Sequence, residues 1–378
     1  MKSAEGRDFF ESAPAASFAQ AACGFAFPVG VGAPAKHFRN LKKKKLGQFF
    51  TERNCWLLPQ VKTFIAGTRC EIAYDPFAGT GCLLDAVARG VPTILETRGL
   101  DIDEAQGWAQ NDSLKEIPAL DGAIIVTNPP YFSNYSASRK KLGNELRPYF
   151  ATTDYDDVYL LALDKMLAAQ KNVVAIVPET FINSPFRQKH KLHSLSILEE
   201  NPFEDTDVPV LVACFDSVSK NFDAIKVYKN NTLVCSLGDV ERNRLMPTNG
   251  VEVKFNEPTG WLAVRCVDTT NPNDRIRFAF KNDIKYNWEK GLKVSSRLLT
   301  LVEIDVPESR RESFIVACNR EVEKLREKSH DIVLSPFKGN MKNGVRRRRL
   351  DFQTCRAIIE KVYFERVPAN ELNLLHDE

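Results

Sequence analysis

Residues 127–131 read Thr127-Asn128-Pro129-Pro130-Tyr131 and close an apolar run at 123–126. Asn128 brings a side-chain amide oxygen and Pro129 a backbone carbonyl, two acceptors side by side. Consecutive prolines restrict φ and ψ, so the carbonyl is held in place. Tyr131 adds a flat ring on which a base can stack, an interaction worth about 1–3 kcal/mol. Two acceptors aimed at the N–H groups of an exocyclic aromatic amine favour a more pyramidal nitrogen and align its lone pair for attack on an electrophilic methyl. Fixed dipoles of this kind stabilise the positive charge that develops on the nitrogen. No strong base is needed, because the ammonium-like product is acidic and can lose its proton to water.

A second string, Asp75-Pro76-Phe77-Ala78-Gly79-Thr80-Gly81, follows a predicted strand and precedes an amphipathic helix with Leu83, Leu84 and Val87. That is the context of a nucleotide-binding loop, in which glycines let backbone approach a ligand without a Cβ clash. The string is neither G-x-x-x-x-G-K-[ST] nor G-x-G-x-x-G, which argues against a phosphate-cradling or dinucleotide loop. An acid at the strand's end suits a ligand with a cationic amine. Asp101, in Gly99-Leu100-Asp101-Ile102-Asp103, follows about one βαβ step later, where a carboxylate can accept both hydroxyls of a ribose. The ordered pair asks for a ligand with an amino-acid part and a nucleoside part. S-adenosylmethionine has both.

These residues need a scaffold that places strand ends side by side. From about residue 71 to 228 short apolar runs alternate with helical patterns, which predicts an α/β fold with a parallel sheet and helices on both faces. The predicted strands are 71–74, 98–102, 123–127, 172–177 and 210–215, and a helix is predicted over 156–170, with Leu160, Leu163 and Leu167 on one face. From about residue 230 the chain changes to short alternating runs with late helical patterns at 308–328 and 352–364, an α+β region. The division expected is a flexible extension over 1–35, a catalytic domain over 36–229 and a second domain over 230–378.

The chain has 378 residues, 43% hydrophobic and 27% charged, which excludes a wholly disordered, collagen-like or disulfide-scaffold protein. Lys and Arg number 52 against 49 Asp and Glu, so net charge is +3 and any contact with nucleic acid must rest on local clusters. The nine cysteines form no Cys-x-x-Cys pair and fit a reducing cytoplasm. His190 and His193 read as solvated residues of a helix surface rather than metal ligands, and no metal is expected. No stretch is apolar enough to span a membrane. Residues 12–35 are uncharged and rich in Ala, Gly and Pro, but Asp8 and Glu11 precede them and prolines and glycines interrupt them. They read as a flexible extension, or as translation from an upstream start codon, rather than a secretory signal.

The ordered motifs resemble the amino-group DNA methyltransferases of restriction–modification systems. More narrowly they resemble the adenine-N6 group, whose cofactor-binding region precedes its target-recognition region. Leu46-Gly47-Gln48-Phe49-Phe50-Thr51 is similar to that family's N-terminal cofactor motif, which wraps the methionine moiety. The stretch from Asp75 to Gly81 matches the cofactor loop, Asp101 the ribose-binding acid, and Asn128 to Tyr131 the catalytic motif. Asn111-Asp112-Ser113-Leu114 is similar to the segment that reads the cofactor's adenine, with Asp112 as acceptor. Asp157-Val158-Tyr159 and Val177-Pro178-Glu179-Thr180-Phe181 resemble later motifs. Asn201-Pro202-Phe203 resembles the motif whose aromatic flanks a flipped base opposite Tyr131. The resemblance covers residues 42–228. It implies a Rossmann-like S-adenosylmethionine-dependent sheet and a C-terminal target-recognition domain. It also implies methylation of adenine N6 in duplex DNA with base flipping, by a monomer in a bacterial or archaeal cytoplasm. A cognate restriction endonuclease would share the site.

Basic clusters at 42–45, at Arg139, Lys140, Lys141 and Arg147, and at Arg346–Arg349 near Lys338 and Lys342 are the expected phosphate or base contacts. Tyr135, Tyr149 and Phe150 interleave the second of these. Ser295, Ser296, Arg297 and Lys338-Gly339-Asn340 are further candidates. Several alternatives stay open. A cytosine-N4 enzyme would more usually carry Ser in place of Asn128. A glutamine-N5 protein methyltransferase shares Asn-Pro-Pro-Tyr but would have an N-terminal helical domain and little after the sheet. An rRNA adenine dimethyltransferase typically has Asn-Leu-Pro-Tyr. A DNA-binding protein on an inactive scaffold would not need Asp75, Gly79, Gly81, Asn128 and Tyr131 intact.

Overall fold

A computed structural model describes residues 54–133, 143–204, 206–289 and 298–367. Residues 1–35 and 42–45, Gln48, Phe49, Phe50, Thr51, Tyr135, Arg139, Lys140, Lys141, Ser295, Ser296 and Arg297 lie outside the described residues.

Nine strands form one mixed sheet: β1 (Ile72–Asp75), β2 (Glu96–Asp101), β3 (Ala109–Gln110), β4 (Ala123–Thr127), β5 (Val173–Pro178), β6 (Leu192–Ile197), β7 (Val210–Phe215), β8 (Lys226–Lys229) and β9 (Thr232–Ser236). Their spatial order is β3-β2-β1-β4-β5-β7-β6-β8-β9. The α/β expectation holds, and the sheet is of the Rossmann-like kind. It is not purely parallel. β1 to β5 run parallel, while β7 runs against both β5 and β6. Among the described residues no helix lies between β6 and β7, and a chain that folds straight back pairs antiparallel. β9 returns in the same way from β8, through Asn230, whose φ is +50°.

β4, β5 and β7 are apolar along almost their whole length because both faces are covered. Successive residues alternate between two cores. Ala73, Ile124, Val126, Val174, Ile176, Val212 and Cys214 enter one core. Helices α1 (Pro59–Gly67) and α2 (Cys82–Gly90) fill it with Val61, Phe64, Ile65, Leu83, Leu84 and Val87. Tyr74, Ile125, Val173, Ala175, Val177, Leu211, Ala213 and Phe215 enter the other. There, after the short α3 (Gly143–Phe150), α4 (Val158–Ala169) contributes Leu160, Leu163, Met166 and Leu167.

The described residues after β9 pack on that second face. After α5 (Leu237–Arg242) comes a four-stranded sheet in the order β10-β13-β11-β12. It is made of β10 (Lys254–Phe255), β11 (Leu262–Arg265), β12 (Arg277–Phe280) and β13 (Leu299–Glu303). Helix α6 (Arg311–Lys328), the hairpin of β14 (Ser335–Asn340) and β15 (Arg346–Arg349), and helix α7 (Phe352–Arg366) complete it. One continuous apolar cluster runs from Tyr74 in β1 through Trp261 and Phe314 to Tyr363 in α7. The division expected at 229/230 falls in the turn between β8 and β9, and the cluster continues on both sides of it. No helix among the described residues is long and apolar enough to cross a membrane. His193 sits on β6, not on a helix, beside Asp216 at 3.3 Å and the Phe64 ring at 4.9 Å.

Candidate active site

Strand order reverses between β1 and β4, and ligands of open α/β sheets bind outside the carboxyl ends of the strands at that switch point. β1 ends on Asp75 and β4 on Thr127, which Asn128 follows. The Thr127 hydroxyl donates to Asp75 Oδ1, tying the two strand ends together, and the Phe77 N–H donates to the same oxygen at 2.9 Å. Asp75 is 1% exposed. Burial pushes its carboxyl up to about 7. The Thr127 and Phe77 hydrogen bonds pull against that rise, and the charge of Asp101 adds to it.

Asp101, at the tip of β2, holds the glycine loop. Its Oδ2 accepts from the Gly79 N–H at 2.8 Å and its Oδ1 from the Asp103 N–H at 2.8 Å. Gly79 and Gly81 have φ of +51° and +80°, which a side chain would strain, and Gly81 opens α2. Thr80, between them, is exposed, while Pro76 and Ala78 are buried and Phe77 half-buried.

Trp108 escaped the sequence reading. Its Nε1 donates to the Gly79 carbonyl at 2.8 Å, and its ring lies against two glycines. A Cβ on Gly81 would stand 2.8 Å from that ring, and one on Gly99 only 2.5 Å. Gly81 in the loop and Gly99 in β2 therefore make room for an indole of the protein itself, a use beyond the ligand approach inferred from sequence. Gly99 inside a strand was the available signal, since glycine there marks close approach of another group.

Asp112 lies just beyond β3. Its Oδ2 accepts from the Tyr149 hydroxyl at 2.8 Å and pairs with Lys115 Nζ at 3.0 Å, whereas its Oδ1 is buried without a hydrogen-bond partner among the described residues. Ser113 is buried and its hydroxyl accepts from Asn111 at 2.9 Å.

Asn128 is half-buried, Pro129 buried and Pro130 half-buried. The Tyr131 hydroxyl donates to Asn128 Oδ1 and lies 2.9 Å from the Ile176 carbonyl. The Tyr131 ring meets Tyr159 and Phe203 edge-on, each with centroids 6.3 Å apart. Phe203 is buried, its N–H capped by the Asn201 side chain at 3.0 Å. Asp75, Asp101, Asn128, Tyr131 and Phe203 thus gather at one end of the sheet. The two rings expected to flank a base touch each other at 70°, so a base can enter between them only when one of them turns.

The arginine run is a correction to the sequence reading. Arg346–Arg349 is a strand, and the guanidinium groups of Arg346, Arg347 and Arg348 bond within the protein. Arg348 is buried and paired with Glu179 at 2.5 Å, directly after β5. Arg346 donates to the Leu198 carbonyl at 3.0 Å, and Arg347 to the Asp268 carbonyl at 2.7 Å while lying over the Phe337 ring. Arg147 is exposed on α3, and Lys338, Asn340 and Lys342 are exposed on the hairpin.

No family model matches the chain, and no curated protein does. Solved structures give weak likenesses. A modification subunit assigned to a type I restriction enzyme of Vibrio vulnificus is 15% identical with a TM-score of 0.35, over 51% of this chain and 50% of that one. A type I restriction–modification methyltransferase subunit from Streptococcus thermophilus is 16% identical at 0.34, over 54% and 55%. A protein described as a class I S-adenosylmethionine-dependent methyltransferase of Listeria monocytogenes is 13% identical at 0.31, over 51% and 71%. The chain spans about half the length of the two type I subunits.

Proposed function

We propose that this chain is an S-adenosylmethionine-dependent methyltransferase acting on the N6 amine of adenine in duplex DNA. The observation that carries the reading is the position of Asn128. It follows the carboxyl end of β4 at the switch point, its side-chain oxygen held by Tyr131, whose ring meets Phe203.

The acids fit the cofactor. Asp75, half protonated near neutrality because it is buried, regains its charge beside the cationic amine of a methionine moiety. Asp101 uses one lone pair of each oxygen on backbone N–H groups, and the others remain for ribose hydroxyls. The unpartnered Asp112 Oδ1 suits the exocyclic amine of the cofactor's adenine. Bound there, S-adenosylmethionine supplies an electrophilic methyl on a sulfonium. Gln48, Phe49, Phe50 and Thr51 complete that site in the proposal.

The target adenine must leave the duplex stack, at a cost of a few kcal/mol that stacking on Tyr131 and Phe203 offsets. Tyr131 then releases Asn128 Oδ1, which accepts one N–H of the amine while the Pro129 carbonyl accepts the other. The attacking nitrogen meets fixed dipoles as its positive charge grows, and the proton leaves to water.

The region after residue 230 is the DNA-reading part in this proposal, and the exposed Lys338, Asn340 and Lys342 are its candidate contacts. A modification role beside a restriction endonuclease follows from the same resemblance. Its sign would be protection of DNA from one endonuclease after incubation with the protein. The proposal is tested by offering methyl-labelled cofactor together with duplex DNA, RNA and protein. Label in duplex DNA is expected; label in RNA or protein alone would remove the reading.

A further inference from the structure

Tyr149 comes from the last turn of α3, the helix that follows the catalytic motif. Its neighbour Phe150 packs with Leu114, Phe132 and Val158 in a small separate apolar cluster. That cluster joins the segment after Tyr131 to the segment that carries Asp112. Alongside it, the Tyr149 hydroxyl donates to Asp112 Oδ2 at 2.8 Å.

Both donors on the Asp112 carboxylate, Tyr149 and Lys115, engage Oδ2. Lys115 has a side chain 71% exposed, and an ion pair so open to water fixes little. Burial, then the Asp112 partner, pushes the Tyr149 phenol up to about 12, so it remains a donor throughout the physiological range. With Oδ2 held, rotation about the last side-chain bond stops, and the buried Oδ1 keeps one direction. An ionised carboxylate oxygen only accepts. So fixed, it welcomes an N–H and meets a carbonyl oxygen with lone-pair repulsion.

We propose that Tyr149 is a positioning residue that sets the cofactor site's selectivity for adenine, by holding Asp112 so that its free oxygen takes an exocyclic amine. The inference rests on the reading of Asp112 as the acid that meets the cofactor's base. A carboxylate free to swing would find other donors and discriminate poorly. A fixed one leaves a buried acceptor unpaired when the amine is missing, which is how polar sites reject analogues.

The probes are S-adenosylhomocysteine and S-inosylhomocysteine, in which a ring carbonyl replaces the amine. Their Kd values are measured by calorimetry on the full chain. The wild type is expected to prefer the adenosyl form by about tenfold or more, the scale of one lost hydrogen bond to a charged group. Asp112→Asn should abolish or invert that ratio, since an amide can turn its NH2 toward the carbonyl. Tyr149→Phe keeps the ring and should lose most of the ratio, whereas Lys115→Met should keep it within about twofold. If Tyr149→Phe retains the wild-type ratio while Asp112→Asn loses it, the role of Tyr149 is overturned and the reading of Asp112 stands. If Lys115→Met alone collapses the ratio, the orienting group is Lys115 and the proposal fails. If Asp112→Asn leaves the ratio unchanged, the reading of Asp112 falls and this inference falls with it.

Discussion

The Tyr131 hydroxyl donates to Asn128 Oδ1, the atom assigned to the amine of the target base. The site in this state is closed on itself, and the ring of Tyr131 and its hydroxyl have different tasks. Tyr131→Phe keeps the stacking surface and removes the competitor for Asn128. Its kcat/KM for DNA is expected to stay within about tenfold of wild type, since one neutral hydrogen bond is worth about 1 kcal/mol. Tyr131→Ala loses a stacking surface worth about 1–3 kcal/mol per base and should fall about 10- to 100-fold. Equal losses in both variants would show that the hydroxyl, not the ring, does the work.

Asp75 makes cofactor binding depend on pH. Its carboxyl titrates at about 7 in the empty protein because it is buried. If only the ionised form meets the cationic amine, affinity rises with pH through that value and levels off above it. Linkage gives about a tenfold gain in affinity from pH 6 to pH 8. Asp75→Asn should bind more weakly and show a flat profile, read by calorimetry. Folding has the opposite sign. The native state holds this proton more tightly than the unfolded chain, so the Asp75 contribution to stability declines as pH rises from about 4 toward 7.

Glu179 and Arg348 form a buried pair between the end of β5 and the C-terminal hairpin. Arg348→Ala leaves Glu179 buried and uncompensated, and a loss of about 3–5 kcal/mol on denaturant unfolding is expected. The double substitution Glu179→Leu with Arg348→Met should recover most of it. Non-additivity of that kind distinguishes a paired charge from two independent ones. A double variant as unstable as the sum of the singles would contradict the pairing.

Trp108 and Gly99 occupy one space. A Cβ on Gly99 would stand 2.5 Å from the indole ring. Gly99→Ala is therefore expected to destabilise by about 1–3 kcal/mol through overpacking and to weaken cofactor binding, because Trp108 also holds the Gly79 carbonyl. Adding Trp108→Ala should cost less than the two changes summed. A strictly additive cycle would mean that Gly99 is required for another reason.

Much of the site was legible because apolar runs lead straight into it. Asp75, Asp101 and Asn128 each stand where a run of strand residues stops, and strand ends are where such sheets bind ligands. Other parts were hidden for physical reasons. β6 carries Ser194 and Ser196, polar yet buried, so its apolar signal is diluted. β3 has two residues and no periodicity to read. Arg346–Arg349 looks like a solvated charge run, but β15 turns Arg348 inward to a carboxylate that lies 169 positions earlier in the chain. Composition does not encode that pairing; only the approach of the hairpin to β5 creates it.

The methylated nucleoside identifies the substrate. Duplex DNA is incubated with the protein and methyl-labelled S-adenosylmethionine, digested to nucleosides and separated by mass. Label in N6-methyladenine is expected, and it should vanish in Asn128→Ala while that variant still binds S-adenosylmethionine within about threefold of wild type, an allowance below one neutral hydrogen bond. Label in N4-methylcytosine, no label in DNA, or loss of cofactor binding in Asn128→Ala would contradict the account.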